Sequence, residues 1–277
     1  MTLAHRNICF VAGIAAAVIS LIIIVIAAFN ILPAYPQAQS ESIRRSAGAI
    51  QKIAGIFLEP APYVPFITMI GAAIYSLTGI ILIYFFFEKT QSPEILFVGL
   101  FIISFAFECI RIMIPLKIIL ELPNFYLTSS SRVLFFWRYF GLFSLFAASI
   151  CASGLEVQKQ QYIILVIAIA SLVFAIGIPV DGLSWDTTLT LINDFTSTFV
   201  MVQAGIFLMT SASFIISAYT RGSKEYLYIG LGALLAYLGR NILFGSDTWV
   251  SPVPGFVILS IGTWLICTKF HRLYLWL

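Results

Sequence analysis

Charged side chains are scarce in this chain of 277 residues, because Asp, Glu, Lys and Arg together make up only 10% of it. Soluble domains carry about 25% charged and about 45–50% apolar residues, whereas 61% of this chain is hydrophobic and its mean hydropathy is +1.02. These values exclude a soluble globule and make the lipid bilayer its surroundings. The formal net charge is only +3 and no block of Lys or Arg occurs, which excludes a nucleic-acid partner.

Histidine and cysteine are also rare. Both histidines, His5 and His271, flank apolar runs, which argues against haem, di-iron or His-rich zinc sites within the membrane. The four cysteines are Cys9, Cys109, Cys151 and Cys267. They are far apart and show no Cys-x-x-Cys spacing, so we interpret them as small buried apolar side chains. No cofactor or metal is predicted.

Common catalytic motifs are missing as well. The chain has no Gly-x-Ser-x-Gly, His-Glu-x-x-His or P-loop sequence. Asn193-Asp194 resembles half of an Asp-rich diphosphate-binding motif, but Thr196 and Ser197 stand where its second acidic residue would be needed. We therefore predict that the protein is not an enzyme.

Long apolar runs are what the chain does contain. Runs of about 17–25 apolar residues are typical of transmembrane helices. Eight are predicted: Ile8–Ile31, Val64–Phe87, Ile95–Ile114, Ser131–Ala152, Tyr162–Val180, Leu189–Ala218, Tyr226–Phe244 and Val253–Cys267. The third run is expected to continue as a helix beyond Pro115 to Leu120. The predicted fold class is an all-α polytopic membrane bundle of about eight helices, one anchor plus seven.

The distribution of basic residues predicts the orientation. With both termini cytoplasmic, seven Lys and Arg residues lie inside: Arg6, Lys89, Lys159, Arg221, Lys224, Lys269 and Arg272. Only Arg44, Arg45 and Lys52 lie outside, in the loop after the first span. This asymmetry satisfies the positive-inside rule, and we expect a multi-pass protein of a cell membrane, specifically a bacterial inner membrane.

Three regions are predicted along the chain: an N-terminal signal-anchor at 1–31, an outer connector at 32–63 and a seven-helix bundle at 64–277. The first apolar run is longer than the roughly 7–15 residues of a secretory h-region, which favours a retained anchor over a cleaved leader. Within the connector, Ile43–Phe57 has apolar residues at helical spacing opposite charged ones. It is predicted to lie on the outer membrane surface or, alternatively, to dock a protein partner.

Five charged residues lie three or more residues away from the ends of the predicted spans: Glu108, Arg111, Arg138, Asp194 and Arg240. Each costs about 2.5–3.5 kcal/mol on insertion scales, so such residues are usually paired or face water, and they often mark functional sites. Counting 1.5 Å per helical residue places all five in the outer leaflet. We therefore predict that they line an outward-facing polar vestibule.

The pairing of these charges is also predicted. Glu108 and Arg111 are three residues apart and can pair on one helix face, while Asp194 and Arg240 have similar depths and opposite signs. Arg138 is then the spare guanidinium that takes a carboxylate or phosphate guest. Alternatively, Arg138 reaches the outer headgroups beside Trp137, and the Asp194 pair is a structural lock.

Polar residues and small residues in and beside the predicted spans also allow predictions. A polar stripe of Thr187, Thr190, Asp194, Ser197 and Thr198 follows helical spacing and is expected to face the vestibule. Other hydroxyl side chains are predicted to form interhelical hydrogen bonds: Ser76, Thr78, Ser144, Ser149, Ser171, Ser260 and Thr263. The small residues Gly230, Gly232, Ala233, Ala236 and Gly239 are expected to allow close helix packing.

Three functions are compatible with these features of the sequence. The preferred hypothesis is a non-enzymatic sensor or binding module with an outward-facing site for a small anionic ligand, acting through a protein partner. A small anionic-solute transporter is the first alternative, although no polar path is visible in the inner halves of the spans. A structural subunit of a membrane complex is the second.

Overall fold

The computed structural model describes residues 3–31, 61–87, 92–154, 160–178, 185–191 and 196–275. Within these ranges it has nine α-helices and one 3-10 helix. They are α1 (Leu3–Ile31), α2 (Val64–Phe86), α3 (Pro93–Ser104), the 3-10 helix (Phe105–Ile112), α4 (Met113–Leu120), α5 (Asn124–Ala152), α6 (Gln160–Gly177), α7 (Thr196–Thr220), α8 (Glu225–Phe244) and α9 (Pro252–Leu275). The predicted connector helix Ile43–Phe57 lies outside the described residues.

Together these helices make eight spans that are long and apolar enough to cross a membrane. One of the eight consists of α3, the 3-10 helix and α4 in succession. Large apolar side chains point outward from the bundle, including Val173 at 63% exposure and Met201 at 73%. In water such a surface would favour aggregation, whereas in a bilayer it contacts lipid tails. The prediction of an all-α polytopic membrane bundle is confirmed.

The third span is the central helix of the bundle, and its middle is tightened into a 3-10 helix. Nearly every residue of α3 is buried. Pro115 lacks a backbone N–H and its ring crowds the carbonyl of Arg111, so the regular α-helical bond at this point is lost. The 3-10 helix ends three residues before Pro115, and α4 continues to Leu120 as predicted.

The first helix packs into the bundle beside this central span. Gly13 lies so close to Ile103 that an added Cβ would be 2.6 Å from its Cδ1 atom, and Gly99 makes room for the Phe10 ring in the same way. Cys109 donates to the Ser20 hydroxyl over 3.5 Å. Thus α1 contributes to the core of the bundle.

Helices α8 and α9 pack almost backbone to backbone. A Cβ added at Gly239 would lie 2.4 Å from the Leu259 nitrogen, and one at Gly262 would lie 2.5 Å from the Ala236 nitrogen. Gly232 faces the Gly262 carbonyl in the same seam. The predicted role of the small residues of α8 is therefore confirmed, because side chains larger than glycine would force the helices apart.

The prediction that Ser and Thr hydroxyls bridge between helices is wrong for five of the seven side chains. The hydroxyls of Thr78, Ser144, Ser149, Ser171 and Thr263 donate to carbonyls of their own helices, at 2.6–3.0 Å, instead of bridging to neighbouring helices. A carbonyl three or four residues back is within reach of any Ser or Thr side chain in a helix, so this bond needs no partner helix.

The sixth span begins later than predicted. Helix α7 starts at Thr196 and not at Leu189, because residues 185–191 form a compact turn closed by an antiparallel bridge between Trp185 and Leu191. Thr187 and Thr190 therefore belong to this turn and do not continue a helical stripe, while Asp194 lies outside the described residues.

Candidate functional site

Three elements bring four of the five predicted charges together at one end of the bundle. The 3-10 helix carries Glu108 and Arg111, α5 carries Arg138, and α8 carries Arg240. We call these four side chains the charge cluster. The predicted pair of Asp194 with Arg240 involves a residue outside the described ranges and stays a prediction.

Glu108 and Arg138 form the strongest contact of the charge cluster. The Arg138 Nε atom donates to Glu108 Oε1 and its Nη2 atom to Oε2, both at 2.8 Å. This two-bond fork is the geometry in which a guanidinium binds a carboxylate best. The prediction that Arg138 is the spare guanidinium is therefore wrong, because depth along each helix does not reveal which side chains face each other across the bundle.

Arg111 pairs with Glu108 as predicted, but less closely. Its Nη1 atom lies 3.5 Å from Glu108 Oε2. Residues three apart are aligned along a 3-10 helix, which places the two side chains one above the other. Arg111 Nη2 also donates to the backbone carbonyl of Thr188.

Arg240 is held mainly by neutral groups. Its Nη2 atom donates to the Arg138 carbonyl over 2.9 Å, and Nη1 donates to the Asn241 side chain over 3.3 Å. The guanidinium carbons of Arg138 and Arg240 lie 4.6 and 4.7 Å from the centroid of the Phe244 ring. Such cation–π contacts partly replace the hydration that each cation loses.

The turn at residues 185–191, which we call the cap, lies over Arg111. It is tied down by a hydrogen bond of 3.0 Å from the Thr187 hydroxyl to Asp247 and by Lys117, whose ammonium lies 5.8 Å from the Trp185 ring centroid. Leu189 within it is buried and adopts a positive φ of 56°, a conformation that costs a non-glycine residue about 1–2 kcal/mol. The cap is thus a packed and locally strained cover.

The charge cluster is enclosed by protein. Glu108, Arg111 and Arg240 are 1–2% exposed, and the Arg138 side chain is 11% exposed. These four side chains therefore do not line the open vestibule expected from the sequence. Among the described residues, the Nε atoms of Arg111 and Arg240 have no hydrogen-bond partner.

Sequence reasoning missed a second buried carboxylate at the opposite end. Glu94, which is 2% exposed, accepts hydrogen bonds from the Ser92 hydroxyl at 2.9 Å and from the Tyr274 hydroxyl at 2.5 Å. Ser92 caps the N-terminus of α3, so the Ser-Pro-Glu sequence was a visible start signal. Tyr274 is 180 residues away, and no local pattern predicts this contact.

In the part of the chain that the structure describes, no three His, Cys, Asp or Glu side chains lie close enough together to hold a metal ion. The four cysteines are free. No protein-family model matches the chain, and no curated protein or solved structure is significantly similar to it.

Proposed function

We propose that this protein is a non-enzymatic binding module of the membrane, in which the charge cluster takes a small carboxylate or phosphate beneath the cap. The supporting observation is a charge imbalance in a buried place. The charge cluster holds three guanidiniums and the carboxylate of Glu108, which is committed mainly to Arg138, while Asp186 in the cap adds a second negative charge near Arg111.

Within the charge cluster, Arg111 and Arg240 are the side chains with hydrogen-bond donors available for an anion. Both side chains are buried, both donate chiefly to carbonyl or amide oxygens, and both have an Nε–H without a partner among the described residues. A guanidinium in a dry site binds carboxylate and phosphate oxygens through parallel hydrogen bonds. An anion bound at either guanidinium would supply the missing acceptor.

The cap gives the site a way to report occupancy. Because Arg111 donates to the Thr188 carbonyl, an anion that draws on the Arg111 guanidinium competes directly with this contact. Thr187 in turn is bonded to Asp247 in the α8–α9 connection. Binding would therefore change the cap and its contacts, and a protein partner at this surface would read that change.

A thermal-shift screen of the purified protein in nanodiscs tests this function. Acetate, dicarboxylates and inorganic phosphate form the panel, and a ligand at ~100 times its dissociation constant should add about 2.7 kcal/mol to the stability. Arg240→Gln should abolish the ligand-induced shift, and Arg240→Lys should restore it only partly because Lys lacks the planar fork. Lys224→Gln, which changes an exposed cation at the other end, should keep the full shift.

A structural subunit is the second candidate, and the near-complete burial of the charge cluster favours it. In that case the charges only fasten the 3-10 helix, α5 and α8 to one another. No stabilisation by any anion, together with equal behaviour of Arg240→Gln and Lys224→Gln in the screen, would support this role and reject the binding module.

We place the protein in a cell membrane, specifically a bacterial inner membrane, with both termini cytoplasmic and the charge cluster in the outer leaflet. The cap and the α8–α9 connection lie at one end of the bundle, where Ala61 also donates to the Asp247 carbonyl over 2.9 Å. The test uses whole cells that express a cysteine-free form of the protein. In this background, Asp247→Cys should react with an impermeant thiol reagent and Ser223→Cys should not. The reverse labelling would invert the orientation.

A further inference from the structure

A cavity of about 520 Å³ lies between α2 and α9, away from the charge cluster. Its volume falls in the range of about 300–1,000 Å³ that is common for small-molecule sites. Leu82, Phe86 and Trp264 line it and are 55–66% exposed on the outer surface of the bundle. The cavity therefore opens sideways, toward the lipid that surrounds the protein.

The length of the cavity matches one leaflet. Its lining on α9 runs from Ser260, near the middle of the span, to Arg272 at the end of the helix. At 1.5 Å per residue this is about 18 Å, close to the roughly 15 Å that make up half of the hydrocarbon core. A guest lying along α9 would span the distance from the headgroup region to the bilayer centre.

The walls of the cavity suit an acyl chain. The lining is mostly apolar, and the hydroxyls of Thr78, Thr263 and Thr268 are already bonded to carbonyls of their own helices at 2.8–3.0 Å. These hydroxyls therefore need no hydrogen-bond partner from a molecule bound in the cavity. Burial of apolar surface therefore dominates along most of the cavity, while the Tyr75 hydroxyl and His271 Nδ1 are lining groups without a hydrogen-bond partner among the described residues.

The mouth of the cavity is basic. Arg272 and His271 line it, and no Asp or Glu does so among the described residues. The neighbouring Lys269 is engaged by Glu225 at 2.8 Å, whereas Arg272 is exposed and has no acidic partner in the described part of the chain. The Arg272 guanidinium thus stands at headgroup level beside an apolar slot.

We propose that this cavity binds an anionic phospholipid, with one acyl chain between α2 and α9 and the phosphate at Arg272. The basic mouth, the apolar walls and the leaflet-length slot each match one part of this molecule. A basic residue near anionic lipid contributes about 1 kcal/mol, which corresponds to a preference of about fivefold over a zwitterionic lipid.

Tryptophan quenching by brominated lipids provides the test, because Trp264 lines the cavity. The full chain in nanodiscs is compared with brominated phosphatidylglycerol and with brominated phosphatidylcholine at equal mole fraction. The signal of Trp264 is the difference between the wild type and Trp264→Phe. We expect phosphatidylglycerol to occupy the site about fivefold more strongly.

Two pairs of variants separate the headgroup from the slot. Arg272→Gln should remove the preference for phosphatidylglycerol and Arg272→Lys should keep it, with Lys224→Gln as a control that leaves it unchanged. Ser260→Phe should fill the deep end and reduce quenching by both lipids, while Ile261→Phe on the exposed neighbouring position should not. Equal quenching by both lipids in the wild type, or an unchanged preference in Arg272→Gln, would overturn the proposal.

Discussion

The two ends of the bundle each bury a carboxylate, and they compensate it in different ways. At the end carrying the cap, Glu108 faces guanidiniums at 2.8 Å and 3.5 Å. At the opposite end, Glu94 accepts hydrogen bonds from the hydroxyls of Ser92 and Tyr274, its partners among the residues that the structure describes. Burying a carboxylate without partners costs several kcal/mol, so both are supplied with donors. The Glu108 site, however, holds more cationic groups than its carboxylate needs, which is why we place function there and stabilisation at Glu94.

The largest expected effect comes from removing the charge at each carboxylate. Glu108→Gln removes the carboxylate that Arg111 and Arg138 share, and the loss of stability should be about 3–5 kcal/mol. In Glu94→Gln the amide oxygen can still accept from both hydroxyls, so the loss should be about 1 kcal/mol. Thermal unfolding of both variants in the same detergent measures the difference. Equal losses would mean that the two ends do not differ in the way described.

The second largest loss of stability is expected in the helix pair α8 and α9, which runs between the two ends of the bundle. Gly239 stands beside Arg240 in α8, and a Cβ there would meet backbone atoms of α9 at 2.4 Å and 2.8 Å. Gly239→Ala should therefore cost about 1–3 kcal/mol through overpacking. Gly205→Ala in α7 is the matched control, since a Cβ at Gly205 has open space around it, and it should stabilise the helix by roughly 0.5–1 kcal/mol. If the unfolding temperature changed in the same direction in both variants, this result would contradict the close packing of α8 against α9.

The smallest effect concerns Tyr274. Removing its hydroxyl in Tyr274→Phe takes away one of the two donors to Glu94, and the loss should be about 1 kcal/mol. Tyr162→Phe serves as the control because Tyr162 is 71% exposed. In Glu94→Gln the Tyr274 substitution should cost a similar amount, since the amide oxygen keeps the bond. Additional stability in Tyr274→Phe would show that this hydroxyl does not support α3.

Hydropathy predicted the eight spans because a transmembrane helix needs a long apolar run. It failed at the start of α7, where apolar and hydroxyl residues continue through the cap. There Asp186 accepts from the Thr187 N–H at 2.7 Å and favours a turn, a local competition that average hydropathy does not register.

For the charge cluster, depth along each span predicted which residues share a level, but not which of them meet. The bond between Glu108 and Arg138 joins residues 30 apart on different helices. Its geometry depends on how each helix is rotated about its axis, and the 3-10 geometry of Phe105–Ile112 places Glu108 at a different angle from that of a regular α-helix. Glu94 was overlooked because its position at a helix start resembles that of an ordinary exposed cap.

The proposal that the charge cluster binds an anion is tested most directly by calorimetric titration. The wild-type protein in nanodiscs is titrated with the anion that gives the largest thermal shift, alongside Arg240→Gln and Arg272→Gln, which remove one arginine at each end. We predict saturable binding in the wild type and in Arg272→Gln, and its loss in Arg240→Gln. Binding that persists in Arg240→Gln, or is lost equally in Arg272→Gln, would contradict it.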